Sequence, residues 1–268
     1  MPASFPGKGG LGNFSTIVFD LDGVLYRAEE PIPGATETLR LVADAGIGMV
    51  FATNNASRLP EEVAADIERR LGFGADPATV VTSAMATAAH LAGSVSAVLV
   101  IGTDSLRAVL ERAGIGTTAR AEKADAVVVG LDPGLTYDTL RAGTLAVAAG
   151  ARLVATNVDP TFPTPEGLVP GAGAIVAALE RATGVEAEVC GKPHRPMLDA
   201  VARLTGTGRV LVVGDRIDTD IEMGRAMGWA TALVLTGVTS SDEAAPETVD
   251  HLLDSVADLP AVLGLGQL

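Results

Sequence analysis

Short apolar runs rich in Val and Ile alternate with helix-period segments along nearly the whole chain, and no other feature constrains the fold as strongly. Residues 16–20 read as a buried strand and residues 34–45 as a helix stopped by Gly46. Residues 47–53 read as the next strand, and 60–71 as a helix with Pro60 in its first turn and Gly72 behind its end. Further strands are expected at 97–101, 126–129, 153–156, 209–213 and 230–235. Helical stretches are expected between them, among them 105–113, 137–149, 173–183 and 196–204. Strands apolar on both faces belong to parallel sheets covered by helices on both sides, so the chain reads as α/β. In such sheets ligands bind beyond the carboxyl ends of the strands. The residues that follow each apolar run are therefore the ones to inspect.

Composition narrows the partners. The 268 residues suit one large domain or two modest ones. With 48% hydrophobic but only 3% aromatic residues, the core must be built from Ala, Val, Leu and Ile. A net charge of −14 repels phosphate backbones and anionic membranes, which argues against a sequence-independent nucleic-acid binder. No apolar run approaches the ~20 residues of a membrane span. Residues 1–14 lack the apolar centre of a signal peptide and read as a loose tail. One cysteine, Cys190, leaves no disulfide framework and makes a reducing cytoplasm the expected compartment.

Three strand ends carry chemistry. Asp20-Leu-Asp22-Gly follows the first strand, Thr53-Asn54-Asn55 the second, and Gly214-Asp215-Arg-Ile-Asp218-Thr-Asp220 the strand at 209–213. Asp and Gly after strands are ordinary turn residues, and a single Asp-x-Asp-Gly is explained equally well that way. Two further polar clusters at strand ends of the same chain weaken that explanation. Crowded carboxylates repel unless a cation neutralises them, and oxygen-only ligands suit Mg2+.

Those segments, with Gly191-Lys192-Pro193, resemble the four ordered motifs of the haloacid dehalogenase (HAD) superfamily phosphatases. The spellings Thr53-Asn54-Asn55, Gly-Lys-Pro and Gly-Asp-Arg-x-x-Thr-Asp220 are similar to its NagD-like, para-nitrophenylphosphatase branch (subfamily IIA). The segments from Ala155 to Asp159 and from Pro170 to Gly173 match that branch too, and the resemblance runs from about Ile17 to Val238. It implies a Rossmann-like parallel-sheet core, residues 1–94 and 187–268, interrupted by an α/β cap at 95–186. The interval of 137 positions from Asn55 to Lys192 leaves room for such a cap.

The resemblance also implies roles. Asp20 is the expected nucleophile and Asp22 the general acid/base, whose backbone carbonyl alone serves the metal. Asp20 and Asp215 are the expected carboxylate ligands of Mg2+, with Asp220 orienting metal-bound water. Thr53, Asn54 and Asn55, together with Lys192, are the expected phosphate-binding residues, and Asn157, Asp159 and Phe162 the cap residues that face the substrate. The implied reaction is hydrolysis of small phosphate monoesters through an aspartyl phosphate. Nucleoside monophosphates, pyridoxal phosphate, phosphoglycolate and glycerol phosphate all fall within that class. A catalytically silent binding protein and a phosphotransferase are the competing classes, and a homodimer through the cap is an assembly the resemblance allows.

Other features read more plainly. Asp218 reads as a cap for a helix starting near Ile221, and Cys190 as a small buried hydrophobe. Gly171-Ala-Gly173 begins like a dinucleotide loop, but no strand is expected directly before it, so it reads as a helix entry. His194 and Arg195 read as solvated turn residues, and Trp229 as core.

Overall fold

The computed structural model describes residues 14–164, 167–244 and 248–266; the side chains of Phe162 and Pro163 also lie outside the description. Most of the expected tail, residues 1–13, falls outside it as well. Its last residue, Phe14, departs from that expectation: it is buried, with the Arg209 guanidinium 4.8 Å from its ring centre.

The chain begins with β1 (Thr16–Phe19), a hairpin of β2 (Tyr26–Arg27) and β3 (Glu30–Pro31), α1 (Ala35–Asp44), β4 (Gly48–Thr53) and α2 (Pro60–Leu71). Next come β5 (Val80–Thr82), α3 (Ser83–Leu91), β6 (Ala97–Ile101), α4 (Asp104–Arg112), β7 (Gly116–Thr117), β8 (Ala126–Val129) and α5 (Tyr137–Ala148). β9 (Arg152–Ala155), a hairpin of β10 (Thr161–Thr164) and β11 (Gly167–Pro170), α6 (Ala172–Thr183) and β12 (Glu188–Val189) follow. The chain closes with α7 (Arg195–Thr205), β13 (Val210–Gly214), α8 (Glu222–Ala226), β14 (Ala230–Val234), β15 (His251–Leu253) and α9 (Leu259–Leu263).

Local chemistry explains the helix ends. α2 carries Pro60 at its start, Glu61 and Glu62 in its first turn and Arg69 and Arg70 in its last, which complements the helix dipole. Gly72 follows with φ 58°, the left-handed geometry that releases a chain from a helix. α1 starts one residue later than expected because Gly34 itself is left-handed, at φ 81°.

Two compact units are present. Of the described residues, the first comprises 14–52, 64–79 and those from 202 to 266, and the second 53–63 and those from 80 to 201. The first contributes five parallel strands in the order β15-β14-β13-β1-β4. Phe19 stands opposite both Val213 and Phe51, and the Phe19 and Phe51 rings stack 6.1 Å apart under the sheet's carboxyl end. In the second unit a parallel sheet runs β12-β9-β8-β6-β7. Successive strand residues point to opposite faces. Val98, Val100 and Val128 therefore join Leu91, Leu106 and Leu110 in one apolar cluster, while Leu99, Ile101 and Val127 join Ile175, Val176 and Leu179 in another. Both faces are covered, as the apolar runs require.

Several expectations need correction. A strand does precede Gly171: β11, paired antiparallel with β10, ends at Pro170, although Gly171 still acts as the helix entry. Asp218 caps no helix. It lies inside a π-type turn, Ile217–Ile221, and forks onto Arg216 at 2.7 and 3.0 Å. Trp229 is half-buried rather than core. Among the described residues no helix is long and apolar enough to cross a membrane.

Candidate active site

In the first unit, strand register gathers the acids. β1 and β13 are parallel neighbours with Phe19 opposite Val213, and the Asp20 N–H donates to the Val213 carbonyl at 2.9 Å. Asp20 and Asp215 therefore leave the sheet side by side. The π-type turn brings Asp220 back to them, where the Arg216 N–H donates to Asp220 Oδ2 at 3.2 Å. One carboxylate oxygen each from Asp20, Asp215 and Asp220 lies within 4.8 Å of the others, and Asp215 and Asp220 are 3% and 1% exposed. Asp22, two residues beyond Asp20, is exposed and stands outside that trio.

Glycines shape this corner. A Cβ on Gly23 (φ 83°) would lie 2.7 Å from Asp215 Oδ2, one on Gly237 would overlap the same carboxylate, and one on Gly214 would overlap Asp220. The sequence reading missed the Thr236–Thr239 segment. There the Val238 N–H donates to Asp215 Oδ2 at 2.6 Å, the Thr239 N–H to the Asp215 carbonyl at 3.1 Å, and the Thr236 hydroxyl to the Gly23 carbonyl at 2.6 Å. A signal existed, because Gly237 follows a strand end as Gly23 and Gly191 do. Three close, mostly buried carboxylates with only oxygen donors form a site that fits a small hard dication and is electrostatically costly without one. The buried Tyr26 packs under the Arg70 guanidinium, 4.3 Å from its ring centre. Burial, and after it the Asp22 carboxylate, hold the Tyr26 phenol protonated well above its ordinary range.

In the second unit a different group forms. Thr53 is buried and its Oγ1 accepts from the Asn55 N–H at 3.0 Å. Asn55 turns its own Oδ1 to Ser57, accepting from the backbone N–H at 2.8 Å and the hydroxyl at 2.6 Å. Asn54 reaches Lys192 and Asp159, and Asn157 Nδ2 donates to Asp159 Oδ2 at 2.7 Å. Lys192 is 4% exposed. Phe162 lies on β10 opposite Val169, and its side chain is outside the described residues. His194 and Arg195 are exposed, Arg195 pairing with Asp199 at 2.8 Å. Cys190 is fully buried, and burial pushes its thiol up to about 11.

A model described as haloacid dehalogenase-like hydrolase matches residues 17–116, and a second, HAD-hydrolase-like, matches 189–259. The chain is 39% identical over 257 residues to the 5′-nucleotidase YutF of Bacillus subtilis, an alignment covering 92% of this chain and 98% of that protein. The chain belongs to the haloacid dehalogenase-like hydrolases. Within this family it is also 44% identical to the D-glycerol 3-phosphate phosphatase of Mycobacterium tuberculosis, over 85% of this chain and 65% of that one. A solved glycerol phosphate phosphatase of the same organism, in complex with magnesium, superposes with a TM-score of 0.84 at 39% identity. That match covers 92% of this chain and 76% of the other.

Proposed function

We propose that this family member is a Mg2+-dependent phosphomonoesterase working through an aspartyl phosphate. The observation that carries the reading is the trio Asp20, Asp215 and Asp220 at adjoining strand ends, with Asp22 exposed two residues past the first. The relatives' names, a nucleotidase and phosphatases, support the same reaction class.

A phosphate monoester resists attack because its charge repels nucleophiles, so positioning and charge neutralisation dominate catalysis. Asp20 attacks phosphorus, forming an acyl phosphate as the ester oxygen departs. Asp22 gives that oxygen its proton, then takes one from the water that attacks the aspartyl phosphate and releases inorganic phosphate. Asp20, Asp215 and the Asp22 carbonyl would hold Mg2+, with Asp220 in support from the next layer. When bound, the ion offsets the charge of both nucleophile and phosphoryl group. Thr53, the backbone amide of Asn54, Asn55 and Lys192 bind the phosphoryl oxygens.

The division into a core of 1–94 and 187–268 and a cap of 95–186 belongs to this reading. The second unit's separate sheet with two apolar clusters supports it. Substrate choice falls to Phe162 within the loop that also carries Asn157 and Asp159. Because Asn157 and Asp159 bond to each other, Phe162 is the leading discriminator. The exposed Tyr137, Leu145 and Leu168 of the second unit support a homodimer through the cap, and the single buried cysteine supports a reducing compartment.

Asp20→Asn tests the reading, since it keeps the size but removes the attacking charge. Turnover of para-nitrophenyl phosphate should fall by about three orders of magnitude or more while the circular dichroism spectrum is retained. Near-normal hydrolysis would overturn the mechanism. In the wild type, a single turnover that releases no inorganic phosphate would reassign the chain to phosphoryl transfer.

A further inference from the structure

We infer that the Asn54 side chain is a positioning device for Lys192, held in place by Asp159 and made possible by Gly191. The role rests on the phosphatase reading, within which Lys192 meets the phosphate, but the geometry stands on its own. The Lys192 backbone N–H donates to Asn54 Oδ1 at 2.7 Å, and Asn54 Nδ2 donates back to the Lys192 carbonyl at 3.3 Å. One such bond leaves a hinge. Two, made by a planar carboxamide to both polar groups of one residue, fix its position and its rotation.

The orientation of that carboxamide is specified as well. Nδ2 also faces Asp159 Oδ2, at 3.4 Å, and two acceptors on one side admit only the nitrogen there. Asp159 is itself held, because the same Oδ2 accepts from Asn157 Nδ2 at 2.7 Å while Asn157 Oδ1 accepts from the Thr156 hydroxyl at 3.0 Å. The backbone of Asn54 is anchored from another direction, its carbonyl accepting from the Ser83 hydroxyl at 2.6 Å. Gly191 completes the arrangement. A Cβ there would stand 2.6 Å from Asn54 Oδ1 and 2.6 Å from the Thr156 carbonyl, so any other residue pushes the carboxamide away.

These bonds join segments 105 and 138 residues apart in sequence. Lys192 is the only member whose side chain the reaction needs, and a lysine carries four rotatable carbons. Immobilising its backbone reduces the freedom the ammonium must lose on meeting phosphate. On this account Asp159 acts through Asn54 on every substrate rather than by choosing among them.

The test uses the full chain and three readouts. In Asn54→Ala, hydrogen exchange at the Lys192 amide should accelerate by about tenfold or more, because its acceptor is gone. With para-nitrophenyl phosphate as substrate, the inhibition constant of inorganic phosphate should rise about tenfold and kcat/KM fall by a similar factor. In a Lys192→Met background the same substitution should change phosphate inhibition by less than about twofold, because the residue it positions is missing. Should Asn54→Ala fold poorly, Asp159→Asn is the milder variant, expected to weaken phosphate inhibition by about threefold without changing substrate ranking. Faster exchange with unchanged phosphate inhibition, or losses that add in the double variant, would overturn the positioning role. A wild type that neither hydrolyses phosphate esters nor binds phosphate, yet loses Lys192 protection on Asn54→Ala, would sink the phosphatase reading and uphold the staple.

Discussion

The acidic corner of the first unit and the amide network of the second both lie just past parallel strands, yet they solve opposite electrostatic problems. Asp20, Asp215 and Asp220 are like charges pressed together by glycines, with backbone N–H groups among the donors around Asp215 and Asp220. In the second unit, Asn54, Asn157 and the Lys192 backbone pair each donor with an acceptor, and the one carboxylate, Asp159, receives two amides. The first arrangement gathers carboxylates of one sign; the second sets amide donors against acceptors. A site that waits for a cation should respond to one, and a finished network should not.

Metal removal probes that difference with the largest expected effect. Chelation should abolish phosphatase activity, and Mg2+ should restore it. An ion that needs all three carboxylates would bind only the folded state, so at about 100 times its dissociation constant it should stabilise the wild type by roughly 2.7 kcal/mol. Asp215→Asn should lose that stabilisation almost entirely, whereas Asn157→Ala should keep it. Equal Mg2+ stabilisation in wild type and Asp215→Asn, read by thermal denaturation, would move the ion elsewhere.

Within the first unit, Asp22 and Asp20 should also separate. A general acid matters most when the leaving group is poor. Asp22→Asn should slow an alkyl phosphate by about 100-fold or more, and para-nitrophenyl phosphate, whose phenolate departs readily, by considerably less. Equal losses would make Asp22 a structural partner of the trio rather than a proton carrier.

The two regions were not equally legible in the sequence. Asp20, Asp215 and Asp220 announce themselves because β-branched strands end in clustered acids, and parallel register does the rest. The segment around Val238 was missed because its contribution is made by backbone N–H groups, which any residue supplies; only Gly237 leaves a mark. α3 was missed for a related reason. Its sequence, SAMATAAHL, is small and apolar on nearly all sides, so it shows no amphipathic stripe, although Thr82 caps it by accepting from the Met85 N–H at 3.3 Å. The Asn54 network was only half legible. Each residue stands in a recognisable motif, but its bonds cross more than a hundred positions and leave no periodic trace. The β10/β11 hairpin hid because Pro163 and Pro170 argue against strands, and a two-stranded ribbon tolerates them at its edges.

Phe162 and Asp159 share one loop and should behave differently, which sharpens the comparison inside the second unit. Phe162→His should reorder specificity constants across a panel of phosphate monoesters, by about 10-fold between an apolar and a hydroxylated leaving group. Hydrolysis of a generic aryl phosphate should persist. A uniform change with the ranking intact would place the discriminating surface outside this loop.

The smallest effect belongs to an ion-pair group of the second unit that the chemistry does not use. Arg152 forks onto Glu188 at 2.9 and 2.6 Å, and His90 Nε2 lies 3.1 Å from the same carboxylate, tying β9, β12 and α3 together. The Arg152 hydrogen bond, against a partial burial penalty and with further help from His90, lowers the Glu188 carboxyl from 4.5 to about 2. A depressed carboxyl stabilises the fold fully above its unfolded value and loses that contribution as pH falls through the folded one. The window therefore runs from about pH 4.5 down to about pH 2. The Glu188 side chain is 45% exposed, so solvent screens the pair and its worth is about 1 kcal/mol or less. Glu188→Gln should lower the melting temperature slightly at pH 6, and the gap from wild type should close as the pH approaches 2. Phosphatase activity at neutral pH should stay within about twofold, because a screened pair remote in role from Lys192 has little leverage on it. A gap that widens in acid would mean that the fork destabilises the fold and that Glu188 is better off protonated.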